Sequence, residues 1–380
     1  MTGKIRYIGF AFLAALLALT SCRDLALQPV FYALSQEVPL GDDKGFPDVA
    51  SVFKMVKFND TGTDYYLAAA GRLYVRGVLA TDTWTVVAPP PGLANAMCNT
   101  LEILGTDIYA GFYDNTDGSG YGLWTSPAAS FPIWTEVMTE PNDVEITLLK
   151  NVGGQLFVGT NANDGTGNAL YYGNGAVFTL VDWSVDPPVE VGFLDVAQAT
   201  IGASYWILVG GSLYQNAAIG GAFTVYSAGA GSPPVSPLSG PPVSGGLFDD
   251  GVALYVSAGN GHLYRTDDGG TNWTKTTTAI PNVDGESTAR FTAFAAPGAD
   301  VGAIYVGTQS QGYYRIADGN VDVPTDITRQ PAYNITALYS GSLNCLFYDA
   351  VNLRLFLGTN GSGLWRGDYA SGYVWTWKQE

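Results

Sequence analysis

Residues Leu254 to Lys275, LYVSAGNGHLYRTDDGGTNWTK, set out the pattern that the chain repeats. An apolar run is followed by a Gly-containing turn, a second apolar run, an Asp-Gly turn and a Trp, which predicts three short strands joined by two hairpins. The paired apolar positions of the middle strand, Leu263-Tyr264, recur as Leu73-Tyr74, Leu123-Trp124, Leu170-Tyr171, Leu213-Tyr214, Tyr313-Tyr314 and Leu364-Trp365. Successive copies are spaced by 50, 47, 43, 50, 50 and 51 residues. A period of that length is expected of four-stranded propeller blades.

The other strands of each blade follow from the same register. Inner strands rich in small and apolar residues are predicted at Val49 to Phe58, Ala96 to Leu104, Val144 to Leu149, Val191 to Ala197, Gly246 to Asp250, Ala289 to Ala295 and Leu343 to Asp349. The second strands share a bulky apolar run closed by a small residue: Gly111, Gly159, Gly210, Ser257, Gly307 and Gly358. A small residue at one register of successive blades points to close approach of the adjacent sheet. Burial between stacked sheets explains why these strands are uniformly apolar and do not alternate. Fourth strands open with an aromatic, Trp84, Trp134, Phe178, Phe223, Trp273 and Trp375, whereas blade six reads Ala317 to Val321 where one is expected. Seven copies that cannot bury their faces alone predict an all-β fold, a single seven-bladed β-propeller of four-stranded blades.

Composition agrees: charged residues make up only 13% of the chain and Gly is abundant, at 48 of 380, a profile of short strands and tight turns. A formal net charge of -17, with 17 basic residues scattered among 34 acidic ones, excludes a phosphate-tracking nucleic-acid surface.

The first residues read as an address. Lys4 and Arg6 precede an apolar stretch from Ile8 to Leu19 that is too short to span a bilayer as a mature helix, followed by Leu19-Thr20-Ser21-Cys22. This stretch resembles the bacterial lipobox, in which the Cys is lipidated and becomes the new N-terminus. The resemblance implies lipidation of Cys22, a membrane partner through that anchor, and a location in the bacterial cell envelope. Stable anchoring requires more than one acyl chain, as lipidation of this kind supplies. The implied organisation is a signal peptide over 1–21, a polar tether over 22–48 and the propeller over 49–380. Phe31 to Ser35 reads as a strand able to pair with the last blade.

The turn Thr266-Asp267-Asp268-Gly269-Gly270-Thr271-Asn272-Trp273 resembles the Asp-box of BNR-repeat, sialidase and sortilin propellers through Thr266, Asp268, Gly270 and Trp273, with Asn272 in place of the usual Thr. In those families the turn is structural. Asp accepts turn amides, Gly tolerates positive φ and Trp anchors the hairpin in the blade. The resemblance does not extend to sialidase chemistry. Arg265, Arg315 and Arg366 occupy one strand-three register, as a structural feature would, and only Arg290 reads as an inner-strand arginine. The single histidine, His262, falls in a turn, and Cys98 and Cys345 lie on inner strands of non-neighbouring blades, so a buried free thiol is expected at each. No residue stands out as catalytic, cofactor-binding or metal-ligating.

Recognition is expected on loops. The strand-two-to-three connections of blades two and three are lengthened and bring Asp114, Asp117, Tyr121, Asn163 and Asp164 to one sector of one face, with the long Ala228 to Gly245 connection beside them. Both loops have the oxygen-rich make-up of a calcium loop, but neither keeps EF-hand spacing, so extended hairpin turns and no cofactor are expected, with calcium binding as the alternative. The functional expectation is a binding or scaffold module for an envelope protein or glycan on that face. The alternative is a carbohydrate-active enzyme using carboxylates there. Cys22→Ala is expected to release the protein from the membrane fraction; acyl labelling that persists in this variant would refute the anchor.

Overall fold

In the computed structural model the described residues are 44–380 except 139–143, 163–166, 185–192, 210–211, 227–245, 258–260, 277–290, 310–311, 318–325, 330–341 and 372–373. They form seven sheets, each of four sequential antiparallel strands, with one 3-10 turn, Ala128–Ser130, as the helical element among them. The protein is a seven-bladed β-propeller. The innermost strands are Lys54–Asp60, Ala96–Leu104, Val144–Val152, Phe193–Gln198, Leu247–Asp249, Phe291–Ala295 and Leu343–Asp349. The repeated apolar pairs all lie in third strands, and Leu73, Leu123, Leu170, Leu213, Leu263, Tyr313 and Leu364 are buried. Phe31 to Ser35 and Arg290 lie outside the described residues.

The small residues of the second strands do what their register implies. A Cβ on Gly111 would lie 2.6 Å from Ile146 Cβ of blade three, one on Gly307 3.1 Å from Leu343 Cβ of blade seven, and one on Gly358 2.9 Å from Val52 Cβ beside blade one. In blades two, six and seven the sheet therefore presses its glycine against the start of the next blade.

The fourth-strand aromatics act in the opposite direction around the ring. Trp134 Nε1 donates to Ala88 O of the preceding blade (3.2 Å), Trp273 Nε1 to Tyr226 Oη (2.8 Å) and Trp375 Nε1 to Tyr305 Oη (3.0 Å). Trp273 Nε1 also donates to Gly270 O of its own turn (3.1 Å), so the indole anchors the hairpin within the blade, as the sequence implies, and ties it to the neighbouring blade as well. Phe178 is only half-buried in blade three, where Trp183 instead reaches forward to Tyr214 (5.0 Å) and Phe223 (5.8 Å) of blade four.

Closure uses no exchanged strand among the described residues, since blades one and seven are each built from consecutive strands. Backbone bonds join Val52 N to Thr359 O (2.8 Å) and Gly363 N to Ala50 O (3.0 Å). The buried Glu380 carboxylate of blade seven pairs with Arg76 of blade one, accepts from Trp84 Nε1 (3.0 Å) and pairs with Arg366 at 2.7 Å. Asp349 accepts from Tyr66 Oη at 2.5 Å and pairs with Lys57 at 3.2 Å. Phe46, inside the stretch read as tether, is buried between Tyr74 and Trp84, with ring centroids 4.8 and 5.2 Å away.

Glu380→Ala leaves Arg76 buried without its carboxylate, and is expected to destabilise the fold by about 3–5 kcal/mol in denaturant unfolding; a loss below about 1 kcal/mol would show that this cluster does not hold the ring shut. Burial works to raise the Asp349 pKa, but hydrogen bonds from Asn352, Tyr66 and Lys57 outweigh it and draw it down to about 2. Because the folded value lies below the unfolded one, the stabilisation is present above about pH 4 and is lost as pH falls toward 2. Asp349→Asn is expected to lower Tm at neutral pH and to flatten its fall between pH 4 and 2, measured by thermal melts against pH.

Candidate functional site

All seven innermost strands contribute to one central channel of about 870 Å³. Its shape follows from an irregularity repeated around the ring. The pairing of first and second strands slips at Cys98/Thr100, Gly159/Thr160, Phe193/Asp195, Phe291/Ala293 and Leu343/Cys345. A β-bulge leaves one residue unpaired and re-aims its side chain. The extra residues in blades two, three, six and seven are Asn99, Thr147, Thr292 and Asn344, all polar and all lining the channel.

The charges of the channel are mostly neutralised between blades. Lys54 lies 3.3 Å from Glu102 of blade two. Burial opposes the Lys54 charge, but Glu102 outweighs it and raises the lysine pKa. Lys150 of blade three reaches Asp195 of blade four at 2.5 Å and Leu247 O of blade five at 3.1 Å, while Asp195 accepts from Leu247 N at 2.8 Å. Lys57 is held by Asp64 (2.9 Å) and Asp349 (3.2 Å).

What remains is a set of uncommitted polar groups. Asn99 Oδ1, Thr100 Oγ1 and Asn344 Nδ2 are buried without hydrogen-bond partners among the described residues. Such groups are costly unless a water or a ligand satisfies them. Burial raises the carboxyl pKa of Glu145, and its charge, after burial, raises the pKa of Tyr113. Glu145, Asn161 and Asn168 are cross-strand neighbours in blade three, at the end of the channel that carries the strand-two-to-three loops.

Of the loop residues singled out in the sequence, Asp114, Asp117 and Tyr121 lie outside this channel lining. Asp114 accepts from Tyr121 Oη and from Thr116 N (2.6 Å), and Asp117 accepts from Ser119 N (2.9 Å) and Oγ (2.7 Å). Their carboxylates thus cap their own turn, and Ser119 and Tyr121 beside them lower the pKa values of Asp117 and Asp114 respectively. Asn163 and Asp164 fall outside the described residues. Among the described residues no group of three His, Cys, Asp or Glu is placed to hold a metal ion.

In the Asp-box-like turn, Thr266 Oγ1 accepts from Gly270 N (2.8 Å) and donates to Asp268 Oδ1 (2.9 Å), and Asp268 accepts from Asn272 N at 2.9 and 3.0 Å. Asn272 stays useful in place of Thr because its amide also donates to Asp268, at 2.7 Å. A Cβ on Gly270, which has φ +94°, would sit 2.7 Å from Trp206 of blade four. The three register arginines pair with carboxylates of their own blades: Arg265 with Asp267, Arg315 with Asp300 and Arg366 with Asp368. His262 Nδ1 lies 2.8 Å from Thr276 O and fixes the exit of its blade. Cys98 and Cys345 are buried and free, and burial pushes both thiols up, Cys345 to about 12.

The channel polar groups were missed in the sequence. Asn99 and Asn344 are isolated polar residues within apolar inner strands, which is a visible signal. Their shared register is hidden because the interval to the second-strand glycine differs between blades two (99 to 111) and seven (344 to 358).

No protein-family model matches the chain, and no curated protein matches it. Several solved structures share its fold. YCF48 from Cyanidioschyzon merolae aligns with a TM-score of 0.52 at 10% identity, over 84% of this chain and 95% of that one. YCF48 bound to D1 peptide aligns with 0.55 at 11% identity, over 86% and 94%. The extracellular domain of BT4673 from B. thetaiotaomicron, described as a hybrid two component system, gives 0.58 at 15% identity over 85% of this chain, which spans 39% of that chain. At such identities the likeness concerns the fold alone.

Proposed function

We propose that this chain is a cell-envelope lipoprotein, anchored through Cys22, whose propeller is a binding or scaffold module. Its ligand is a segment of protein or glycan taken at the channel mouth beside the strand-two-to-three loops. One observation carries this reading: the channel is roomy and its lysines are already neutralised, yet Asn99, Thr100 and Asn344 keep buried polar atoms without partners. Unpaired amides and hydroxyls at a concave site suit the hydrogen-bonding groups of a peptide or sugar. The Asp-box-like turn of blade five is structural here, as in the families it resembles. YCF48, of the same fold, has been solved with a peptide bound, which supports peptide capture as a use of such a ring.

Binding is preferred to glycoside chemistry because the hydrolytic reading needs two facing carboxyl groups of different pKa. Glu102 and Asp195 are each held by a lysine. Glu145 has its pKa raised by burial and lacks an evident ionised partner among the described residues.

The test is a peptide and glycan array probed with the intact protein and its variants. Asn99→Ala and Asn344→Ala are each expected to weaken capture about tenfold, the equivalent of roughly 1.4 kcal/mol for one hydrogen bond, with Tm unchanged. Deleting residues 115–120 should weaken it at constant Tm, whereas Asp268→Ala should lower Tm and leave capture intact. Normal binding by both channel variants, with loss on the loop deletion alone, would move the site out of the channel and onto the loops.

A further inference from the structure

The face opposite the strand-two-to-three loops is formed by the strand-one-to-two and strand-three-to-four turns, because each sheet runs up and down in sequence order. Every blade presents an exposed aliphatic side chain there. In blades four to seven it stands on the inner turn: Ile201, Val252, Val301 and Val351, the last beside Leu353. In blades one to three it stands on the outer turn: Leu79, Ile133 and Val177. Val301 is 86% exposed and Val351 79%. Tight turns ordinarily select Gly, Asn and Asp, so local turn chemistry does not account for β-branched residues at these tips. Single exposed aliphatics are unremarkable. One at the same end of every blade is a patterned surface.

No Lys or Arg occurs in any of the fourteen turns of this face. Of the acidic residues in these turns, Asp82 accepts from Leu79 N (2.9 Å), Asp250 from Val252 N and Ala253 N (both 2.8 Å) and Asp268 from Asn272 N, while Asp267 and Asp300 pair with Arg265 and Arg315; Asp318 and Asp322 lie outside the described residues. A protein-binding patch is enriched in Trp, Tyr and Arg anchors; this ring offers aliphatic tips. They are spread over all seven blades, so a partner that meets them together must be flat across the disc. A lipid surface meets both conditions.

The course of the chain points to the same face. Lys44, the first described residue, accepts from Trp84 N at 2.6 Å, immediately after the blade-one turn that bears Leu79. The 22 residues from Cys22 to Asp43 span up to about 70 Å if extended, enough to let this face reach the bilayer that holds the anchor.

We propose that this aliphatic ring docks the propeller flat on a lipid bilayer, its tips entering the headgroup boundary, with the channel mouth facing away. The proposal rests on anchoring through Cys22 to bring the face to the membrane. Shallow burial of apolar side chains at that boundary is the ordinary mode of surface attachment. The absence of basic residues and the net charge of -17 make zwitterionic lipid the favoured surface, since anionic lipid attracts basic segments.

The test uses the full chain from a lipoprotein-processing host, reconstituted in phosphatidylcholine vesicles that contain doxyl-labelled lipid. An environment-sensitive fluorophore is placed at Val252→Cys, Val301→Cys or, on the opposite face, Asn115→Cys; Cys98 and Cys345 are buried. The first two probes are expected to shift to the blue and lose most of their emission to the quencher, while the third does neither. Acylated, vesicle-bound protein with unquenched probes at 252 and 301 would overturn docking and leave the anchor standing. Quenching without an acyl mass on Cys22 would uphold docking and remove the anchor. Protein that does not associate with vesicles would remove both, and probes shielded only on adding envelope proteins would replace the bilayer with a protein partner.

Discussion

Contact across the blade boundary is the constraint on which this molecule depends. A four-stranded sheet of this size has two apolar faces and not enough chain to cover either. Two devices bring the sheets together. Second-strand glycines such as Gly111 and Gly358 let the next inner strand approach to within side-chain contact. Indole donors such as Trp273 and Trp375 reach back to the blade before. At the junction of blades one and seven the same geometry recurs with charge added: Trp84 donates to Glu380, which also holds Arg76 and Arg366. Closing the ring is one more boundary, with a buried carboxylate as the shared acceptor.

The channel is a by-product of that closure, and its polarity follows from the bulges. Inner strands that pack on the neighbouring sheet through one side have an unpaired residue to place wherever the ladder slips, and in four blades that residue is Asn or Thr facing the axis. Lysines crossing between blades pair with two of the channel carboxylates, Glu102 and Asp195. The same ring thus presents two unlike ends: a polar mouth on one side and aliphatic turn tips on the other.

The repeat, the number of blades, the third-strand pairs and the buried cysteines were legible in the sequence because each depends on local periodicity. A Leu-Tyr pair returning at near-constant spacing, and Gly following a bulky apolar run, are patterns within single blades. The Asp-box-like turn was legible for the same reason: Thr266, Asp268 and Gly270 satisfy one another within five residues.

What the sequence by itself determined was therefore the blade; what only the tertiary structure decided was how blades meet. Nothing in the chain order joins Glu380 to Arg76, Lys150 to Asp195 or Trp375 to Tyr305, since each pair lies in different sheets. The loop carboxylates Asp114 and Asp117 stood out because acidic residues in long loops are conspicuous, yet they are absorbed by their own turn amides. Asn99 and Asn344 look ordinary in sequence and become a site only when ring closure turns seven inner strands toward one axis, because a residue's direction in a bulged strand is set by the register of its partner.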